Sequence, residues 1–414
     1  MTNETNTTPG IVIIGAGQAG CEAAFALRAA GYVGAIDLIG REPWAPHRRP
    51  PLSKQFIAND AVAETLAIKP ALSYQSSGIA LRLGVHASAI DRVRRRVALT
   101  SGDTLDYQTL VLATGGSARQ LPLAGGDLRG VYSLRTIEHA LSIRAQFKPG
   151  QRLVVVGGGF VGLEVAALAI QHGLQVCVLE AAPRLLSRVT SAQMSDFYAA
   201  AHRAAGVRLI FDASVRGFEG AGGKVHAVLC GDERIAADLV LVGVGMQAAD
   251  ELAAACGLPV DQGVLTDAFG RTDDPRVFAI GDCARSWRPS CERHARIESV
   301  PNAIEQARVA AQIIVGNPEP ALQAPWFWSD QYDLKLQMVG LSAGHDVAVV
   351  RGVAQSRAFM IFYLHQGRVI AADAVNRVAD FNVAKKLVTE RRTMGEADFA
   401  DLADETRPLK DLVA

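Results

Sequence analysis

The feature that most limits how this chain can fold is a unit that occurs twice. Residues 11–40 run from an apolar strand (IVIIG) into a glycine-rich turn, GAGQAG, with Gly15, Gly17 and Gly20. A helical stretch closed by Gly31 follows, then a second strand ending at Gly40. Residues 152–180 repeat the plan with the turn GGGFVG (Gly157, Gly159, Phe160, Val161, Gly162), a helical stretch closed by Gly173, and a strand ending at Glu180. Fully apolar first strands belong in the middle of a parallel sheet covered on both faces. In each turn the first glycine permits the bend, the second lets the backbone approach a pyrophosphate, and the third lets helix and strand pack closely. The helix N-terminus then turns N–H groups and a partial positive charge toward the phosphates. One G-x-G-x-x-G is weak evidence. Its place between a strand and a helix of the right length, twice, makes the reading specific.

The two copies differ at the end of the second strand. Glu180 lies 18 residues after Gly162, close to the spacing of about 20 for the acid that takes the ribose hydroxyls of NAD. A carboxylate there repels a 2′-phosphate, so NADH is expected over NADPH, with Arg184 and Arg188 just downstream as the opposing signal. In the first copy Gly40 holds that place, followed by Arg41 and Glu42, which is not an ordinary NAD pattern and leaves FAD as the alternative. Three other segments belong with the first site. Residues 107–115 form an apolar strand ending in Ala113-Thr114-Gly115, and residues 272–284 form one running into Gly281-Asp282. Asp282 thus sits at a strand's C-terminal end, where open α/β sheets bind ligands, and is expected to accept a hydrogen bond from a ribityl hydroxyl. In HRRPPLSK (47–54), Pro50-Pro51 makes a rigid loop that leads to Lys54. That suits a wall against a flavin ring, although a turn with a solvated Lys reads the same way. A helix beginning near residue 300, with Pro301 in its first turn, offers its N-terminus to negative charge on the pyrimidine end of a reduced flavin.

Composition narrows the class. A chain of 414 residues suits two or three domains. With 49% apolar and only 6% aromatic residues and 39 glycines, an α/β protein with tight turns is expected. Lys+Arg and Asp+Glu each total 42, a balance that argues against coating nucleic acid. The N-terminal MTNETNTTPG lacks the charged and apolar regions of a signal peptide. Apolar runs such as 239–246 are shorter than the ~20 residues needed to span a membrane, so a cytoplasmic, soluble protein is expected. The six cysteines (Cys21, Cys177, Cys230, Cys256, Cys283, Cys291) show no C-x-x-C, zinc or iron–sulfur spacing and read as isolated thiols. The Arg94-Arg95-Arg96 run reads as a surface turn.

These segments, in this order, resemble the FAD-dependent, NADH-using ferredoxin reductases that serve bacterial oxygenases. The similarity runs from GAGQAG through PHRRPPLSK, LVLATGG, LVVVGGGFVGLEVAA, FAIGDCAR, RIESVPNAIEQAR and PWFWSDQYDLKLQMVGL to VNRVADFN. It implies an α/β fold like that of glutathione reductase, with two Rossmann-type dinucleotide-binding domains and a C-terminal α/β interface domain. The FAD-binding domain would take residues 1–114 and 246–322, the NAD-binding domain 115–245, and the C-terminal domain 323–414. FAD contacts then fall on Gly15, Gly17, Ala19, Arg41, Lys54, Ala87, Arg135, Asp282 and Val300, joined by Arg49 and by Ala113, Thr114 and Gly115. Many relatives carry an acid where this chain has Arg41, so Glu42 is the substitute hold on the adenosine ribose. His47 stands where many have Tyr. NAD contacts fall on the 157–162 turn, Glu164 and Glu180.

The resemblance also places Lys54 and Glu164 beside flavin N5 and the nicotinamide, as the pair that orients hydride transfer. Hydride would pass from NADH to FAD, and single electrons would then leave for a [2Fe–2S] ferredoxin feeding a cytochrome P450 or a Rieske-type oxygenase. The lack of a dithiol motif is the argument for an external carrier. Arg308 and Lys410 are the implied ferredoxin contacts, with Trp326 and Trp328 bordering that face. No nucleic acid, membrane or metal is expected, and the protein would act as a monomer or weak dimer. Other readings stay open: rubredoxin or oxygen as the acceptor, or a slow-turnover NADH-binding flavoprotein of interaction or signalling type.

Overall fold

The structure, a computed structural model, describes residues 10–59 and 61–413. The signal-peptide reading of the N-terminus therefore falls outside the described residues, Gly10 excepted. The chain forms two compact units. One comprises the described part of Met1–Arg48 with Val62–Ser117 and Gln247–Gln323. The other comprises Arg49–Ala61, Ala118–Met246 and Ala324–Ala414, as far as these are described.

In the first unit, strands Ile79–Leu83, Ile36–Gly40, Gly10–Ile14 and the end of Thr104–Leu112 lie parallel in that order, with Val277–Ala279 beyond. The beginning of Thr104–Leu112 instead pairs antiparallel with Arg96–Leu99, which pairs with Ala87–Asp91. Side chains alternate across a strand, and the apolar first strand therefore feeds two cores. Ile11 and Ile13 pack with the helices Gln18–Ala29 and Val300–Ile314. Val12 and Ile14 pack with Ile90, Val97, Leu110 and Leu258. Full burial of one such side chain is worth roughly 1.5–3 kcal/mol. The two helices meet through small residues, Ala23 and Ala24 on one and Ala303, Ala307 and Ala310 on the other.

In the second unit, Arg208–Ile210, Gln175–Leu179, Arg152–Val156, Leu239–Val242 and Val131–Tyr132 form a parallel sheet in that order. The meander Val215–Ala221, Lys224–Cys230, Glu233–Ala236 follows. Residues beyond 324 build an antiparallel sheet, ordered Trp326–Gln331, Leu334–Gly340, Arg368–Val375, Phe359–His365, Val347–Arg351. Helix Val378–Thr389 packs on it through Phe381, Ala384 and Leu387. Among the described residues no helix is long and apolar enough to cross a membrane.

Candidate active site

Both glycine turns close the same way. At Gly15 (φ +113°) a Cβ would lie 2.1 Å from Ala113 O, and at Gly20 it would lie 1.9 Å from Gly15 O. The counterparts Gly157 (φ +109°) and Gly162 would meet Gly243 O and Gly157 O, each at 2.5 Å. The outer glycines are thus required by the protein's own packing. At the middle ones, Gly17 and Gly159, a Cβ would meet nothing within 4 Å, which leaves room there for a ligand to approach the backbone. Gly17 and Gly159 are also the N-caps of Gln18–Ala29 and Phe160–Gln171. Neither helix start has a side-chain cap or an acid in its first turn. By contrast, the side chains of Thr136, Ser191 and Ser299 do cap their helices. Two uncapped helix N-termini over an open glycine are a fit for the pyrophosphates of two dinucleotides.

The residues expected around the first cradle lie as follows. Ala19 is buried in the first helical turn. Ala113 N donates to Ile14 O at 2.8 Å, Thr114 Oγ1 donates to Ala249 O at 2.6 Å, and Gly115 O accepts from Ala249 N. Asp282 is half-buried in the 3-10 turn Gly281–Cys283 that follows Val277–Ala279, and Gln306 Oε1 accepts from Gly281 N at 2.7 Å. Val300 opens helix Val300–Ile314, where the Ser299 hydroxyl accepts from Asn302 N. Ala87 begins the antiparallel ribbon. Arg41 is exposed, whereas Glu42 reaches to 3.7 Å from the buried His47 ring, which also contacts Ala45 O.

At the second cradle the Glu180 carboxylate is aimed by two backbone donors, Gly158 N to Oε2 at 2.6 Å and Ala182 N to Oε1 at 2.7 Å. Of the two arginines that opposed NADH, Arg184 is occupied by Thr190 O, Ser195 Oγ and Ser187 O. Arg188 is exposed beside Gly245.

The second unit also brings Lys54 and Glu164 together. Lys54 Nζ lies 2.9 Å from Glu164 Oε1, with the carboxylate side chain only 5% exposed. Ser53 Oγ donates to Oε2 at 2.5 Å and Ser329 Oγ donates to Oε1 at 2.7 Å. A buried carboxylate is costly unless paired and hydrogen-bonded, and these three donors meet that need. Arg49 Nη1, next to the Pro50-Pro51 turn, donates to Arg135 O at 2.6 Å, tying two of the expected flavin-side residues to each other. Sequence reasoning did not single out Ser53, Ser329, Gln331 or His202. The signal was a period of two: Phe327, Ser329 and Gln331 share one face of Trp326–Gln331. Phe327 meets Phe160 of the glycine turn (ring centroids 4.5 Å apart), and Ser329 meets Glu164. On the other face Trp326 and Trp328 are half-buried, 5.7 Å apart, with Lys385 Nζ over Trp326. Arg308 and Lys410 are each exposed within their own unit.

All six cysteines are free thiols, four of them buried. Burial pushes Cys21 and Cys177 each up to about 11, so neither offers a thiolate near neutral pH.

Two open phosphate cradles on two parallel sheets, one followed by a backbone-held acid, suit a protein built for two dinucleotides. The chain belongs to the pyridine nucleotide-disulphide oxidoreductase family, whose pattern it matches over residues 9–307, and residues 326–413 match the reductase C-terminal family. It is 46% identical to putidaredoxin reductase of Pseudomonas putida over 99% of this chain and 98% of that one. It is 42% identical to rhodocoxin reductase of Rhodococcus erythropolis over 94% and 92%. The crystal structure of the covalent putidaredoxin reductase–putidaredoxin complex superposes with a TM-score of 0.95, at 45% identity and 99% coverage of both chains.

Proposed function

We propose that this protein is an FAD-dependent NADH:ferredoxin oxidoreductase that supplies single electrons to a [2Fe–2S] ferredoxin serving a P450 or Rieske-type oxygenase. The observation that carries the reading is the asymmetry of the two cradles. Both are open at the middle glycine, but only the second ends its strand on a backbone-held acid, Glu180. FAD is assigned to the first and NADH to the second. When bound, the flavin accepts hydride from the nicotinamide and releases electrons one at a time. The protein supplies orientation and charge. Glu180 takes the ribose hydroxyls. Glu164, its carboxylate held by three donors, keeps Lys54 in place and orients the nicotinamide carboxamide. The cysteines are free and dispersed, so the electrons leave for an external carrier. Arg308 and Lys410 are assigned to steer that acidic carrier. The same reading keeps the three-domain division given above, a cytoplasmic location and a monomer or weak dimer.

Anaerobic stopped-flow mixing tests it. NADH should bleach the flavin quickly and in preference to NADPH, and a [2Fe–2S] ferredoxin should then restore its colour and support cytochrome c reduction. Bleaching well below roughly 1 s⁻¹, slower than the usual enzyme range, would point to a slow-turnover binding protein. Reoxidation by oxygen or rubredoxin but by no ferredoxin would overturn the acceptor.

A further inference from the structure

The buried side of Glu164 continues into a hydrogen-bonded chain. Gln331 Nε2 lies 3.2 Å from Ser329 Oγ. Gln331 Oε1 lies 2.9 Å from His202 Nε2, and His202 Nδ1 lies 2.9 Å from the Tyr332 hydroxyl. His202 and Ser329 are 0% exposed and Gln331 is 1% exposed. Burial is the larger influence on the His202 ring and lowers its pKa, with the bond to Gln331 acting the other way. The imidazole is therefore neutral at physiological pH, with one donor nitrogen and one acceptor.

The proton positions follow from the carboxylate. An ionised Glu164 only accepts, so the single hydroxyl proton of Ser329 must point to it. Ser329 Oγ can then only accept, and Gln331 must present its amide NH₂ there. That turns the Gln331 carbonyl to His202, which must carry its proton on Nε2. His202 Nδ1 is left as an acceptor and takes the Tyr332 O–H. Each bond donates toward Glu164. Reversing any one of them sets two lone pairs or two protons against each other.

A second observation marks the far end. Tyr332 is the first residue of the hairpin turn joining Trp326–Gln331 to Leu334–Gly340, and its φ is +57°. Turn positions with positive φ are usually given to Gly or Asn, and a bulky residue there is an outlier. Its ring stands edge-on to His202, with centroids 5.1 Å apart. The strained turn delivers the hydroxyl that closes the chain.

We propose that His202, held as the Nε2–H tautomer by Tyr332, is a positioning residue for hydride transfer. It acts through Gln331 and Ser329 to fix the Glu164 carboxylate opposite Lys54. The inference rests on the assignment of Lys54 and Glu164 to the nicotinamide made above. It extends the site to residues about 40 positions downstream of Glu164 and to the C-terminal sheet.

The test is a mutant cycle on the FAD-loaded protein, read as the flavin reduction rate at saturating NADH and, separately, as the apparent Kd for NADH. Ser329→Ala should slow reduction by roughly tenfold, the effect of losing one well-placed hydrogen bond. His202→Phe should slow it several-fold. The double variant should be no slower than Ser329→Ala alone, because residues acting in series are not additive. Kd for NADH should change little in all three. Tyr332→Phe removes only the hydroxyl that sets the tautomer and should reproduce part of the His202→Phe effect even if that variant folds poorly. Additive effects, or wild-type reduction rates in both His202→Phe and Tyr332→Phe, would overturn the relay. Glu164→Gln separates the two levels. If it slows reduction while the His202 and Tyr332 variants do not, the relay alone fails. If it leaves reduction unchanged, the assignment of the pair fails and the relay falls with it.

Discussion

Asp373 offers a sharp test of how burial is balanced in the second unit. Its side chain, on strand Arg368–Val375, is 1% exposed. Thr190 Oγ1 and the Tyr363 hydroxyl both donate to Oδ2, at 2.5 and 2.8 Å, and Oδ1 has no hydrogen-bond partner among the described residues. Burial pushes the carboxyl from 3.8 up to about 6, against the downward pull of the Thr190 and Tyr363 hydrogen bonds and the nearby His345. For an acid whose pKa is raised by folding, the folded state holds the proton more tightly. The favourable contribution is present below 3.8 and is lost as pH climbs through about 6. At ~1.36 kcal/mol per pH unit the full loss is ~3 kcal/mol, of which ~2 kcal/mol falls between pH 4.5 and 8. Asp373→Asn cannot ionise. Its new NH₂ would sit where Oδ1 now lacks a partner, a pH-independent cost of roughly 1–3 kcal/mol. The diagnostic is therefore the slope. In urea titrations followed by tryptophan fluorescence, the variant should gain ~2 kcal/mol on the wild type between pH 4.5 and 8 and level off above about 7. In a cooperative unit of this size, that is roughly 4–8 °C in Tm. A wild-type-minus-variant difference that stays constant with pH would refute the reasoning.

Four further outcomes are expected. Gly17→Ala should leave apoprotein stability within roughly 1 kcal/mol, since its Cβ enters open space. It should nonetheless lower the flavin-to-protein absorbance ratio sharply. Gly15→Val, which would drive a Cβ into Ala113 O at positive φ, should fail to give folded protein. Glu180→Ala should raise the KM for NADH about 10–100-fold, the loss of a charge-assisted hydrogen-bond pair. It should penalise NADPH far less, and equal effects on both nucleotides in steady-state assays would count against its role. Arg308→Glu should raise the ferredoxin KM several-fold at low salt and less at high salt. Ferricyanide reduction should be unaltered, and equal loss with both acceptors would remove Arg308 from the docking face.

The glycine turns were legible because backbone geometry leaves no substitute for glycine at Gly15, Gly20, Gly157 and Gly162. Glu180 was legible through spacing alone, and the structure adds the two N–H groups that aim it. Lys54 and Glu164 are 110 residues apart in sequence, and only the resemblance paired them. Ser53, Ser329 and His202 escaped notice for a physical reason. A serine or histidine in one sequence carries no mark of which buried charge it will serve, and the charge itself arrives from a distant helix. The neutrality of His202 and the raised pKa of Asp373 are likewise products of burial, which a linear pattern cannot weigh. Arg184, close to Glu180 in sequence, is spent on Thr190, Ser187 and the Ser195 hydroxyl.

The two-faced strand Trp326–Gln331 bears on how such reductases can be recombined. The segment from residue 324 onward carries Lys410, Trp326 and Trp328, the residues assigned to the acceptor side. It would look like a cassette to exchange when retargeting the protein to a new carrier. Yet the same strand delivers Ser329 to the Glu164 carboxylate and Gln331 to His202. Under the proposed roles, a chimera joined at that boundary would transplant part of the electron-entry machinery with the exit surface. Grafts should therefore keep Phe327, Ser329 and Gln331 from the recipient and take only the alternate positions from the donor. Under the roles proposed above, the choice of partner and the speed of loading would be written on opposite sides of a single strand.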